Sequence, residues 1–445
     1  MEKKFNSDDF PILKKEYVVV CRYGDSVIYP LFHKESRHAT SSYTFQTLNK
    51  TAAEILSFCN GENTVKDIIE KLRVQYNEKT DTVTEFVMSF LTESYEENHI
   101  LISREHNPQK VHVYGDFSLI TPASACIEIT KQCPLACKHC YNNSGEISKN
   151  EMGTEQVYLA LDKLSKLGVQ RISITGGEPT QRNDFNKIVK FAADKFAAIL
   201  ILSNGYLITE EMARTLAIHN NVVVQISIDG LEENHNSLRG KKDAFEKTVS
   251  AIHHLTRNGL PVTVSTVITS ENVEEIEDIA RLVHQLGVIS ITFGIIINQG
   301  RARENNLAHG VDVEMLVQRA LALKDFYKDK GMAVIIDDDT MHKLQGDENV
   351  LCGAGVNQIA VRENGDVSPC VSFFYNYGNI LHDNLSDIFG PCKVSLFQDL
   401  PMPSKKLCGE CVELENCNLC PANAYVSPLP EESCVWKKRF NQRLV

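Results

Sequence analysis

Between about residue 125 and residue 300, short runs of β-branched and other apolar residues alternate with stretches whose apolar residues recur at helical spacing. The predicted strands are Cys126 to Thr130, Ile172 to Thr175, Ala198 to Ser203, Val222 to Ile228, Val262 to Ile268 and Ile289 to Ile297. Strands joined by helices run parallel, so six βα units predict an α/β fold with one parallel sheet. Ligands bind at the carboxyl ends of such strands, which makes polar motifs there the candidate site.

The first such motif contains Cys133, Cys137 and Cys140 in the spacing CxxxCxxC, just after the first predicted strand. Three thiolates on one loop can hold three corners of a 4Fe-4S cluster. No fourth cysteine follows nearby, so one iron would be left open for another ligand. A zinc site and three buried core cysteines are the alternatives that this string alone leaves open.

The second motif, Gly176-Gly177-Glu178, ends the second predicted strand. Adjacent glycines let the backbone approach a ligand closely, and a carboxylate can accept a hydrogen bond from an ammonium group. With CxxxCxxC upstream and a helix between, the chain resembles the radical S-adenosylmethionine (SAM) superfamily. The resemblance implies a partial (βα)6 TIM-like barrel, with SAM chelated by the open iron and contacted by Tyr141. Cleavage of SAM would give a 5′-deoxyadenosyl radical that abstracts hydrogen.

Three further strand ends carry polar residues. Ser203 ends the third strand, where it is a candidate cofactor contact or part of a simple turn. Ser227 and Asp229 share one face of the fourth strand end and could bind ribose or the methionyl group. This pair resembles the SxD element of the peptide-modifying branch of the superfamily. Arg239 resembles the arginine of that branch's HDxxRG motif, which reaches the SAM carboxylate, although Asn236 replaces the aspartate.

A second group of cysteines lies towards the carboxyl end, at Cys352, Cys370, Cys408, Cys411, Cys417, Cys420 and Cys434. CxxC pairs alone would predict a zinc ribbon. Beside a radical SAM core they resemble a SPASM domain, which carries auxiliary 4Fe-4S clusters. The resemblance assigns one cluster to Cys408, Cys411, Cys417 and Cys434. It assigns the other to Cys352, Cys370 and Cys420, with the fourth ligand unassigned.

Two departures qualify that assignment. Cys420 stands in a CxxC spacing where the family has CxxxC, and Cys392 matches no family motif although it could supply a missing ligand. The remaining cysteines, Cys21, Cys59 and Cys126, stand alone in apolar contexts and are predicted to be core residues.

The first hundred residues predict strands followed by three helices, which indicates a winged-helix-like α+β domain. The segments 48–56 and 64–69 resemble the leader-recognition element of ribosomally made peptide pathways, related to the carrier protein of pyrroloquinoline quinone biosynthesis. In that family a leader peptide adds as a strand to the sheet edge. A purely structural domain is the alternative.

Composition excludes several other classes. The net charge of -12 argues against nucleic-acid binding, and no apolar run is long enough to span a membrane. No apolar segment follows the first residues, so we expect a cytoplasmic enzyme. The predicted division is a leader-recognition domain (1–105), a linker (106–122), the radical SAM barrel (123–310), a bridging helix and linker (311–350) and the SPASM extension (351–445).

Together these resemblances imply a maturase that cross-links a ribosomally synthesised precursor peptide, with a thioether from a cysteine sulfur to a carbon as the expected bond. A reductant such as flavodoxin or ferredoxin would supply electrons. Carbon–carbon cross-linking and epimerisation are alternatives within the class. Anaerobic sulfatase maturation is disfavoured, because Val371 stands where those enzymes carry an aspartate base. From another class, the chain could be an iron-sulfur redox-sensing transcription regulator.

Overall fold

The computed structural model describes residues 6–30, 46–307, 310–337, 352–398, 400–417 and 420–444. These residues form two compact units. The first contains the described residues up to Thr121 together with 165–168, and the second contains the rest of the chain from Pro122. The charged linker predicted around Asp337 to Asn349 lies outside the described residues after Asp337.

The first unit is an α+β domain with two sheets and three helices, as the sequence predicts. Its strands are β1 (Phe10–Leu13), β2 (Tyr17–Cys21), β3 (Ser26–Pro30), β4 (Gln46–Leu48), β5 (Ile100–Ser103) and β6 (Val113–Gly115). The helices are α1 (Lys50–Phe58), α2 (Val65–Tyr76) and α3 (Thr80–Glu96). One sheet has the order β4-β3-β2-β6, and β1 pairs antiparallel with β5.

Local sequence explains where these helices begin. The Asn49 side chain accepts a hydrogen bond from the amide of Ala52 at 2.8 Å, which satisfies one free donor of α1. Thr64 and Asp67 form a reciprocal capping box at the start of α2. Cys21 and Cys59 are buried in the core of this unit, which confirms the prediction for both.

The second unit is built on one sheet with the order β13-β12-β11-β10-β9-β8-β7-β14-β15. The strands are β7 (Ser124–Glu128), β8 (Arg171–Thr175), β9 (Ala198–Ser203), β10 (Val222–Ser227), β11 (Val262–Ile268), β12 (Ser290–Ile295), β13 (Ala333–Ile336), β14 (Gln358–Val361) and β15 (Val367–Ser368). All neighbours run parallel except β14 and β15. Strands β7 to β12 are the six predicted strands, and the α/β barrel class is confirmed.

The helices between these strands are α4 (Thr154–Leu167), α5 (Phe185–Ala193), α6 (Glu210–Leu216), α7 (Glu232–Arg239), α8 (Ala244–Arg257) and α9 (Ile276–Gln285). After β12 come α10 (Arg301–Glu304) and α11 (Val313–Tyr327), the latter in the segment predicted to contain a bridging helix. Short helices α12 (Leu385–Phe389), α13 (Pro391–Val394), α14 (Lys405–Cys408), α15 (Leu414–Cys417), α16 (Pro421–Tyr425) and α17 (Val435–Gln442) follow. Within the described ranges, no helix combines the length and apolar character that crossing a membrane requires.

Strands β13, β14 and β15 were not predicted, and they extend the sheet at both edges of the six-stranded array. β13 pairs with β12, and β14 pairs with β7 so that Ala360 lies opposite Cys126. A partial barrel leaves unpaired backbone groups at its first and last strands, and the added strands satisfy them. As a result, the carboxyl-terminal cysteine region is joined directly to the first barrel strand.

Candidate functional site

Cys133, Cys137 and Cys140 lie together on the loop that follows β7. All three pack in one cluster that also contains Leu135 and Ala244. Burial raises the pKa of the Cys133 thiol to about 12, and it also raises the pKa of Cys137 against the opposing effect of a nearby arginine. Such thiols lose their protons when a metal binds, so the metal affinity of a cysteine site depends on pH.

Two donors point at sulfur atoms of this cluster. Asn204 Nδ2 lies 3.6 Å from Cys133 Sγ, and Arg239 Nη1 lies 3.7 Å from Cys137 Sγ. Hydrogen bonds to cysteine sulfur stabilise the electron-rich thiolate form and tune the potential of iron-sulfur clusters. Three convergent sulfur atoms with such donors fit the first 4Fe-4S cluster that the sequence predicts.

Gly176 and Gly177 pack against the backbone that leads into the cysteine loop. A Cβ on Gly176, which has φ +149°, would lie 2.2 Å from the carbonyl oxygen of Thr130. A Cβ on Gly177 would lie 2.3 Å from that of Gln132. The amides of Gly177 and Glu178 donate to these same two carbonyls, each at 2.7 Å. The glycines are therefore required for close backbone contact, and that contact fixes the position of the cysteine loop.

Glu178 and Ser203 lie next to each other at the ends of β8 and β9. The Glu178 carboxylate is fully buried and accepts hydrogen bonds from the Thr180 hydroxyl at 2.5 Å, the Ser203 hydroxyl at 2.8 Å and the Asn204 amide at 2.8 Å. Burial raises the pKa of Glu178 despite these bonds. Protein donors reach both carboxylate oxygens, so Glu178 joins two adjacent strand ends, and its contact with the ammonium group of SAM stays a prediction.

Asp229 and Arg239 form a buried ion pair with a distance of 2.5 Å between Oδ2 and Nη2. His139 Nε2 lies 3.3 Å from the same carboxylate oxygen, and the amide of Val267 donates to Oδ1 at 3.0 Å. Burial acts to raise the pKa of Asp229, but Arg239, His139 and other neighbouring groups together outweigh burial, and the pKa is lowered. Burial lowers the pKa of His139 to about 4, so at neutral pH Arg239 supplies the positive charge. Ser227 is half-buried at the end of β10.

Four of the carboxyl-terminal cysteines line one small cavity next to Trp436. These are Cys408, Cys411, Cys417 and Cys434. Burial raises the pKa of Cys417 to about 12, and the proximity of the other three cysteines adds to the shift. The structure thus brings together the four residues that the sequence assigns to one auxiliary cluster, and their shared cavity fits a group bound by sulfur.

The other predicted auxiliary set is centred on Cys370. Burial raises the pKa of Cys370 to about 11, and Cys352 lies close enough to add to this shift. Cys420 lies immediately before α16, and its amide donates to the carbonyl of Cys417 at 2.9 Å. Cys392, the alternative ligand, is exposed. Cys126, predicted to be an isolated core residue, instead lies within electrostatic reach of Cys370 because β14 pairs with β7.

Sequence reasoning missed several residues that hold these cysteines in place. Arg301 donates to the carbonyl of Cys137 at 2.7 Å, and its own amide donates to the carbonyl of Cys140 at 3.0 Å. Arg362 donates to Glu128 at 3.1 Å, and Tyr141 donates to the same carboxylate at 3.3 Å. The one signal in the sequence for this group was Glu128 itself, an ionisable residue in the otherwise apolar first predicted strand.

Comparison with protein families agrees with this site. The radical SAM superfamily matches residues 127–283, an iron-sulfur cluster-binding SPASM domain matches 352–420, and coenzyme PQQ synthesis protein D matches 35–100. The fold and the cysteine groups therefore define a radical SAM enzyme with a SPASM extension. Its cofactors are 4Fe-4S clusters and SAM.

Relatives narrow the class further. Sporulation killing factor maturation protein SkfB of Bacillus subtilis is 32% identical over 64% of this chain and 69% of its own length. Subtilosin biosynthesis protein AlbA of the same organism is 27% identical over 85% and 84%. Mycofactocin maturase MftC of Mycobacterium tuberculosis is 31% identical over 70% and 81%. The chain belongs to the radical SAM/SPASM peptide maturases with an amino-terminal recognition domain of the PqqD type.

Among solved structures, SuiB of Streptococcus suis bound to S-adenosylmethionine has the same fold, with a TM-score of 0.67. The match covers 95% of this chain and 99% of SuiB at 14% sequence identity. At that identity the likeness concerns the fold alone.

Proposed function

We propose that this protein modifies a ribosomally synthesised precursor peptide by joining a cysteine sulfur to a carbon of an acceptor residue. The observation that carries the proposal is the short chain of contacts that joins the two cysteine groups. Arg362 donates to the carbonyl of Cys370 and to the Glu128 carboxylate. The same carboxylate accepts a hydrogen bond from Tyr141, which directly follows Cys140. A carbon radical on the peptide and a bound cysteine thiol could therefore be held close to each other. Holding two reactants in the right geometry accelerates the reaction between them.

Three sets of cysteines would hold the cofactors. The first cluster would be held by Cys133, Cys137 and Cys140, one auxiliary cluster by Cys408, Cys411, Cys417 and Cys434, and another by Cys352, Cys370 and Cys420. When bound, SAM and the first cluster supply the 5′-deoxyadenosyl radical, and an auxiliary cluster supplies a soft metal site for a thiolate and an electron acceptor. A reductant such as flavodoxin or ferredoxin would deliver the first electron.

The protein side chains position SAM and the cysteine loop. Arg239 lies between the Cys137 sulfur and the Asp229 carboxylate, so it can meet the SAM carboxylate while its own charge stays balanced. The other candidate contacts of SAM are Tyr141, Glu178, Ser203, Ser227 and Asp229. Gly176 and Gly177 keep the cysteine loop against the end of β8. These groups orient and bind, and the cofactor supplies the radical chemistry.

The leader of the peptide would bind the first unit. Among the described residues, β4 and β6 are the outer strands of its four-stranded sheet, and the region matched to the PqqD family, 35–100, includes β4. An extended leader can add to β4 through backbone hydrogen bonds. This predicts that a leader peptide binds without SAM or clusters.

Mass spectrometry of the peptide product tests the bond. Thioether formation removes two hydrogens and protects the cysteine from alkylation. A product that loses the same mass but stays alkylatable would favour carbon–carbon cross-linking. A product of unchanged mass would favour epimerisation.

A separate experiment distinguishes an enzyme from a redox-sensing regulator. Reduced, anaerobic protein should convert SAM to 5′-deoxyadenosine, and Cys137→Ala should lose that activity. DNA affinity without SAM turnover in fully loaded protein would refute the enzymatic function.

A further inference from the structure

Glu128 ends β7 with its carboxylate fully buried. Its Oε1 accepts hydrogen bonds from Arg362 Nη1 at 3.1 Å, Asn142 Nδ2 at 3.2 Å and the Tyr141 hydroxyl at 3.3 Å. Tyr141 and Asn142 directly follow Cys140 in the chain. One side of the carboxylate is therefore attached to the first cysteine loop.

The other side is attached to the auxiliary cysteine region through Arg362. This guanidinium donates to the carbonyl of Cys370 at 3.1 Å and to the Ser368 hydroxyl at 3.0 Å, and it lies 4.3 Å from the centre of the Phe374 ring. Glu128 thus occupies the position between the two cysteine groups. It also carries a charge that Arg362 already balances.

Two acceptor atoms at this position lack donors. Within the part of the chain that the structure describes, Glu128 Oε2 and Asn142 Oδ1 are both buried and have no hydrogen-bond partner. Buried acceptors are nearly always paired, and an unpaired one destabilises the fold. Since the two side chains are in contact, a single donor-rich ligand could satisfy both atoms.

We propose that Glu128 and Asn142 bind the substrate peptide itself, accepting hydrogen bonds from its N–H groups beside the residue that is modified. An extended peptide presents such donors along its backbone. Because Arg362 neutralises the carboxylate, the position suits neutral amide donors better than a second cation. This inference rests on the proposed function, in which the reacting stretch of peptide must pass between the Cys140 loop and the Cys370 loop.

The experiment uses the full-length, cluster-loaded enzyme with the precursor peptide encoded beside its gene, and with the leader segment alone. Glu128→Gln and Asn142→Ala should each raise the KM for the precursor about tenfold, as loss of a hydrogen bond to a charged or buried acceptor predicts. More SAM should be cleaved per peptide modified. In Asn142→Ala, iron content, SAM cleavage without peptide and affinity for the leader should stay within about twofold of wild type, because Asn142 Oδ1 has no hydrogen-bond partner among the described residues.

Glu363→Gln is the matched control, because it neutralises a neighbouring buried carboxylate outside this hydrogen-bonded group. An unchanged KM in both test variants would overturn the inference, since water would then suffice as the donor. If Glu128→Gln loses iron, the KM of Asn142→Ala decides. If the wild-type enzyme leaves the precursor unmodified, the proposed function fails and the inference fails with it.

Discussion

Gly177→Ala would test whether backbone contact between β8 and the cysteine loop determines cluster binding. The added Cβ would lie 2.3 Å from the carbonyl oxygen of Gln132 and 2.6 Å from that of Lys131. Ordinary contact begins near 3.4 Å, so in a close-packed interior the loop must move by about 1 Å. Because Gln132 precedes Cys133, that movement displaces the first cysteine of the motif.

The cost follows from the hydrogen bonds lost. The amide of Gly177 donates to the carbonyl of Thr130, and that of Glu178 donates to the carbonyl of Gln132, each at 2.7 Å. At about 1 kcal/mol each, their loss costs about 2 kcal/mol, or about 30-fold in the population of loops that can hold the cluster. We expect iron content after anaerobic reconstitution and SAM cleavage to fall together.

Gly145→Ala provides the control on the same loop. The carbonyl of Gly145 accepts from the amide of Cys133 at 3.0 Å, yet a Cβ at Gly145 meets nothing within 4 Å. This variant should keep wild-type iron content and activity. If Gly177→Ala also kept both within about twofold, the reasoning from close contact would be refuted.

Three further predictions concern charge, potential and cluster content. Arg239→Ala should lower the free energy of unfolding by about 3–5 kcal/mol, because buried Asp229 loses its counter-charge. An unchanged midpoint of urea unfolding would contradict this prediction. Asn204→Leu should make the reduction potential of the first cluster more negative, because it removes the hydrogen bond to Cys133 Sγ. A redox titration followed by electron paramagnetic resonance measures this potential, and a potential equal to that of the wild type would exclude a role for Asn204 in setting it. Cys417→Ser should remove about four iron atoms per chain while the first cluster's spectrum still changes on addition of SAM. Loss of that response would mean that the two sites are not separate.

The six barrel strands could be predicted because each is a short apolar, β-branched run bounded by helical periodicity. Strands β9 and β11 begin and end where the sequence indicated. β14 and β15 could not be predicted, because short runs acquire their strand character only when they pair with an edge. The sequence likewise suggested that Cys126 was isolated, whereas pairing of β14 with β7 brings it near Cys370.

The amino-acid sequence alone determined which ligands are present, since cysteine spacing, glycine pairs and strand periodicity are local properties of the chain. It could not decide which partners the buried charges take. Only the folded chain directs Glu178 towards Ser203 and Asn204, pairs Asp229 with Arg239, and places Glu128 against Arg362. Except for Asp229 and Arg239, those partners lie far apart in sequence, and a buried charge is stable only where the whole fold supplies its counterpart.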